Sequence, residues 1–168
     1  MPVYHTAIGA VETLTSLREP GETARQDTSW RRRMFDTKVA IVVLDDLPVW
    51  QKLNVTAFLA TGIAGSAPEA MGEPYEDAAG RFHARLLGQP ILIFSAAAEE
   101  LARAWRVAIE RELTRAVYVR AMFETGHDAA NRAVFKAEPA ETPDLVGVAL
   151  RGAKRDVDRA TKGLKLHR

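Results

Sequence analysis

The residues best placed to do chemistry are Asp45 and Asp46, which stop the apolar, β-branched run Val39-Ala40-Ile41-Val42-Val43-Leu44. Such a run suits a strand buried on both faces in the middle of a sheet. In open α/β sheets ligands bind beyond the carboxyl ends of strands, so carboxylates there can act as a general base, hold a cation or orient a water. The competing assignment is structural. Either aspartate can accept backbone N–H bonds where a helix begins, and Pro48 fits a first helical turn because its missing donor is not needed there. Gln51 and Asn54 extend from that turn and either direct hydrogen bonds at a ligand or are simply solvated. Thr125-Gly126-His127-Asp128 offers a hydroxyl, an imidazole and a carboxylate after another strand-like run, close to Asp46 if the two strands are neighbours. Helix capping by Thr125 or Asp128 is the alternative there. Lys38, just before the first run, lies about 20 Å from its far end along a straight strand, so it need not share a site with the aspartates.

The chain excludes several other chemistries. Its 168 residues contain no cysteine, which removes disulfides, thiolate zinc sites, iron–sulfur clusters and a cysteine nucleophile. It has no phosphate-cradling Gly-rich loop, no H-E-x-x-H and no G-x-S-x-G elbow. The four histidines, His5, His83, His127 and His167, have no metal-ligand spacing, and neither a metal nor another cofactor is expected. Apolar runs fall short of the roughly 20 residues a bilayer span requires. Met-Pro-Val-Tyr-His at the start lacks the features of a secretory signal, so a soluble cytoplasmic protein without membrane contact is expected.

The elements that must position the candidate residues follow from periodicity. Val55, Phe58, Leu59, Gly62 and Ile63 recur as one face of a helix after Pro48, and Leu101, Ala104, Trp105, Ala108 and Ile109 repeat that template between about Ala97 and Leu113. Pro90-Ile91-Leu92-Ile93-Phe94, Ala116 through Phe123, and Leu145 through Leu150 read as strands. Tyr75 through Phe82 reads as a hairpin or exposed loop, a short helix ends near Phe135, and a charged helix runs from Lys154 to about Lys162. Strands alternating with helices imply a layered α/β domain over residues 38–168. Residues 1–37 read as an N-terminal extension, with a thin helical stripe at Ala7–Leu17 and a Trp30-Arg31-Arg32-Arg33 segment that either binds phosphate or is solvated.

The net charge of +1 hides an asymmetry. From Arg151 onward seven basic side chains face two acidic ones, about +5, so the remainder is net acidic. This C-terminal face can attract RNA phosphates or a small anionic ligand, or can be an ordinary solvated helix face.

Several separated segments carry a family resemblance. Lys38 through Val43, Asp45-Asp46-Leu47-Pro48-Val49-Trp50-Gln51-Lys52-Leu53-Asn54-Val55, Gly72-Glu73-Pro74-Tyr75, Asp77-Ala78-Ala79-Gly80-Arg81, Gln89-Pro90-Ile91-Leu92 and Lys162-Gly163-Leu164-Lys165-Leu166-His167 resemble a bacterial family known as domain of unknown function 2000. That family in turn resembles type II peptidyl-tRNA hydrolases. The resemblance implies a three-layer α/β/α sandwich with a mixed sheet of four or five strands and a plausible homodimer. Lys38, Asp46-Leu47 and Leu164-Lys165-Leu166 match the hydrolase pattern. Leu44 replaces the arginine before the Asp-Leu pair, and Phe58 and Thr61 stand about where a glutamine and a histidine are expected. Losing that imidazole removes the most obvious proton carrier at neutral pH.

Three functions are compatible with this reading. One is a ligand- or RNA-binding protein that uses Asp45, Gln51, Asn54, Thr125 and Lys38 without the usual catalytic set. Another is a hydrolase of peptidyl-tRNA or a related aminoacyl ester, with Asp46 activating water and Thr61 or His127 assisting. The last is an oligomeric interaction module anchored by Trp50 or Trp105.

Overall fold

The computed structural model describes residues 35–168. The extension up to residue 34, with its expected helical stripe and the three arginines after Trp30, lies outside the described residues. From there the chain runs β1 (Thr37–Leu44), α1 (Val49–Ser66), β2 (Tyr75–Glu76), β3 (Phe82–His83), β4 (Ile91–Ala96), α2 (Ala98–Glu110), β5 (Thr114–Val119), α3 (Asp128–Ala137), β6 (Leu145–Ala153), α4 (Lys154–Ala160) and β7 (Lys165–Leu166). Five strands form one mixed sheet in the order β5-β6-β1-β4-β7, and β2 and β3 form a separate hairpin.

β1 occupies the centre of the sheet, and its apolar run tolerates burial from Val39 to Leu44. Residues Val39 through Val43 have no exposed surface, and both neighbours pair with the strand, β4 parallel and β6 antiparallel. Alternation then assigns the layers. Gly147 of β6 points at Val55 and Leu59 of α1, whereas Gly152, an odd number of residues on, points at Leu113 beyond the end of α2. Helix α1 packs on β6, β5 and β1, and helices α2 and α4 pack together on β6 and β1 from the other side. The fold is therefore the expected α/β/α sandwich with a five-stranded mixed sheet.

Two local outcomes differ from the sequence reading. The stretch from Ala116 to Phe123 is not one strand: β5 stops at Val119, and Arg120–Glu124 forms a 3-10 turn. The cause is a register shift between Tyr118 and Val119, which pair with Gly147 and Leu145 respectively. Such an irregularity bends the strand and ends its pairing. Neither Asp45 nor Asp46 caps α1, because Pro48 itself holds the cap position and no side chain bonds the helix start.

The Asp77 to Arg81 segment is a turn that joins β2 to β3. Asp77 Oδ1 accepts from the backbone N–H of Ala79 at 2.9 Å and of Arg81 at 3.1 Å, and Oδ2 accepts from Arg81 Nε at 2.7 Å. Gly80 supplies the positive φ of 77° that the reversal needs. The Arg81 N–H bond above all, with Ala79, the Arg81 guanidinium and His83 adding to it, holds the Asp77 carboxyl below its ordinary range. This part of the family pattern is thus explained by turn chemistry.

Candidate functional site

Parallel pairing of β1 with β4, and two successive antiparallel steps from β1 through β6 to β5, bring the carboxyl ends of β1, β4 and β5 to one edge of the sheet. At that edge a cleft of about 360 Å³ opens between the first turns of α1, the end of β5 and the start of α3. Trp50, Asn54 and Phe58, one turn apart on α1, form one wall, and Tyr118, Met122 and Phe123 form the floor. Thr125, His127, Asp128 and Asn131 close the far side.

The aromatic groups hold one another in two edge-on pairs and one tilted pair. Phe123 meets Trp50 with ring centroids 5.8 Å apart and Tyr118 at 5.2 Å, and Phe58 meets Tyr118 at 5.8 Å. Trp50 keeps 61% of its surface exposed, so one side of its indole is free to stack against a ligand.

Polar groups in the cleft are partly committed. Tyr118 donates its hydroxyl proton toward Asn54 Oδ1 over 3.5 Å, the outer limit of a bond, which leaves the Asn54 amide nitrogen free to donate. Thr125 Oγ1 donates to the Met122 carbonyl at 2.9 Å and also contacts the Asn131 side chain. A hydroxyl has one proton, so Asn131 meets Thr125 best with its amide nitrogen donating. His127 caps α3, its Nδ1 accepting from the Ala130 N–H at 3.2 Å. This bond puts the neutral ring's proton on Nε2 as a donor. Asp128 pairs with Arg132 one turn on.

Burial pushes the Tyr118 phenol above its ordinary value. At neutral pH it is a neutral donor, and above pH 10.0 the folded protein keeps a proton that the unfolded chain releases. Stability is therefore fully present below pH 10.0 and falls as pH rises through the folded value. Tyr118→Phe is expected to flatten this alkaline loss in urea melts run between pH 9 and 11 (about one unit either side of the ordinary tyrosine value).

Three of the eight candidate residues, Asn54, Thr125 and His127, thus share the cleft. The others lie elsewhere. Asp45 and Asp46 are exposed beyond β1, and β6 intervenes between β1 and β5, so the strands are not neighbours and stand about 10 Å apart. Gln51, next to Trp50, is not among the cleft residues. Thr61 donates to the Phe58 carbonyl at 2.7 Å on the exposed side of α1. Lys38 sits at the opposite end of β1, paired with Asp158 of α4. Of the two tryptophans read as interface anchors, Trp105 packs against the core and Trp50 faces the cleft. The sequence reading missed Phe58, Tyr118, Phe123 and Asn131 as lining residues. The repeat Trp50, Asn54, Phe58 at four-residue intervals was a signal for the α1 wall. Nothing in the sequence pattern marked the 3-10 turn.

The fold and cleft define a three-layer α/β/α domain with a ligand-sized opening at the carboxyl ends of its strands. The chain belongs to the family described as protein of unknown function (DUF2000), whose model matches residues 37–168. It is similar to a solved protein of unknown function from Agrobacterium tumefaciens strain C58, with 49% identity over 80% of this chain and all of that one, and a TM-score of 0.77. No curated protein matches it. Among the described residues no helix is long and apolar enough to cross a membrane.

Proposed function

We propose that the domain binds a small ligand carrying a flat ring with a hydrogen-bonding edge, in the cleft between α1, β5 and α3, without transforming it. The observation that carries this reading is the pairing of an open aromatic wall, Trp50 with Phe58 and Phe123 beside it, with the directed polar groups of Asn54, His127 and Asn131. About 360 Å³ lies within the range of small-molecule sites. Support for binding over hydrolysis comes from the commitments already described. Asp46 is not a lining residue, Thr61 is bonded to its own helix, and the Nδ1 of His127 is used as a cap.

The resemblance to type II peptidyl-tRNA hydrolases is read from the sequence alone, and a resemblance in fold does not by itself carry an activity. The C-terminal basic helix α4 packs on the layer opposite α1, so an RNA on that face would not also fill the cleft. The test is a titration with adenosine, guanosine, cytidine and uridine, followed through the Trp50 indole N–H and the side-chain amides of Asn54 and Asn131. Shifts confined to these groups are expected for at least one nucleoside. Trp50→Ala should weaken binding about tenfold or more, since base–aromatic stacking is worth ~1–3 kcal/mol. No shift in these groups with any nucleoside refutes a nucleobase-like ligand. Enzyme-like release of peptide from peptidyl-tRNA, abolished by Asp46→Ala, would overturn the binding-only reading.

A further inference from the structure

A second cavity, of about 350 Å³, opens at the amino end of β1, the end of the sheet away from the aromatic cleft. Thr37, Glu69, Gln89 and Arg151 line it together with Asp36 and the backbone around Met71 and Gly88. Register explains the convergence. Arg151 pairs with Val39, so the side chains of Thr37, Val39 and Arg151 emerge on the same face as Gly147, the face that α1 covers. Helix α1 ends at Ser66, and the Pro68–Ala70 turn after it, buried at Ala70 and exposed at Glu69, carries Glu69 over the guanidinium. Gln89 is buried and tied to β1, its Oε1 accepting from Thr37 Oγ1 at 2.8 Å.

The Arg151 side chain is only 13% exposed, although the sequence counts it with a solvated basic face. Its one carboxylate partner among the described residues is Glu69, at 2.7 Å from Nη1, and the Glu69 side chain is 64% exposed. Among the described residues, the buried Arg151 Nε has no partner. A buried donor left unpaired is costly, and a guanidinium presents its donors in a fork suited to two oxygens of one anion. Glu69 meets one of those donors from a flexible surface position and leaves another unmet.

We propose that Arg151 anchors a second ligand site for a small oxyanion, a carboxylate or phosphate group, which engages the guanidinium from the cavity side and displaces the Glu69 carboxylate. Gln89 and Thr37, bonded to each other through Thr37 Oγ1 to Gln89 Oε1 and Gln89 Nε2 to the Thr37 carbonyl, form the polar wall beside it. Asp36 and Glu69 are the two carboxylates facing the cavity, and both oppose an incoming anion. Glu69 is therefore a competitor, and removing its charge must strengthen binding.

The experiment titrates the full chain with sodium phosphate and, separately, sodium acetate at constant ionic strength, observing the Arg151 Nε–H resonance. The expected result is a saturable shift with at least one of the two anions, and the responding anion identifies the oxyanion class. Glu69→Gln should bind several-fold more tightly, as expected on losing a partly exposed like charge, and Arg151→Lys, followed through the Gln89 side-chain amide because the variant has no Nε–H, should lose the saturable shift. Glu69 is exposed, so its replacement keeps the fold even where changes at Arg151 do not. Absence of a saturable shift in both the native chain and Glu69→Gln overturns the proposal and leaves a structural ion pair. Equal affinity of native and Glu69→Gln protein overturns the competitor role.

Discussion

Gly147→Val is expected to destabilise the domain by about 1–3 kcal/mol or more, because the new side chain must enter space already filled by α1. A Cβ at Gly147 would stand 2.5 Å from Val55 Cγ1 and 2.9 Å from Leu59 Cδ1, with the Val42 carbonyl oxygen 3.5 Å away. Both helix side chains are buried and packed, so neither can rotate out of the way at low cost. The relief available is to lift α1 from β6, which also moves Trp50, Asn54 and Phe58 relative to Tyr118. A urea titration reads the loss of stability, and altered ring shifts of Trp50 and Tyr118 read the displaced wall. Unchanged shifts in a folded variant would show that the helix absorbs the insertion elsewhere.

The companion result comes from the other face of the same strand. Leu150→Ala should cost about 2–5 kcal/mol, the range for removing a fully buried leucine. Leu150 has no exposed surface, and it lies an odd number of residues from Gly147, on the side covered by α2 and α4. Small domains are stable by only about 5–15 kcal/mol, so this single change can remove a large share. Yet the cavity it leaves is across the sheet from α1. The cleft resonances should therefore stay put and ligand affinity should be retained below the melting transition. The two variants together separate loss of stability from loss of site geometry.

The internal periodicities of the chain carried much of the fold. Val39 through Leu44 read as a strand covered on both faces, and the apolar spacing from Val55 to Ile63 as a helix with one apolar face. The carboxyl edge of the strands was also legible as a candidate region, and three of the residues named around it, Asn54, Thr125 and His127, line the cleft that opens there. These signals are local: they depend on burial pattern and turn chemistry within one element.

Strand order is not local, and it decided the rest. By placing β6 between β1 and β5, the fold puts two strand spacings, about 10 Å, between the strand that leads to Asp46 and the strand that leads to the Thr125 turn. A register slip of one residue at Tyr118 turned an apparent strand into the 3-10 segment that brings Phe123 against Trp50 and Tyr118. Arg151 was one basic charge among seven in the C-terminal sequence, and only its pairing opposite Val39 buries it beneath the end of α1. The chemistry available to each residue was written in the chain, whereas which residues meet was set by long-range strand pairing, whose register no single segment encodes. The aspartates were chosen by their position along one strand, but the cleft was built where three elements distant in sequence come together.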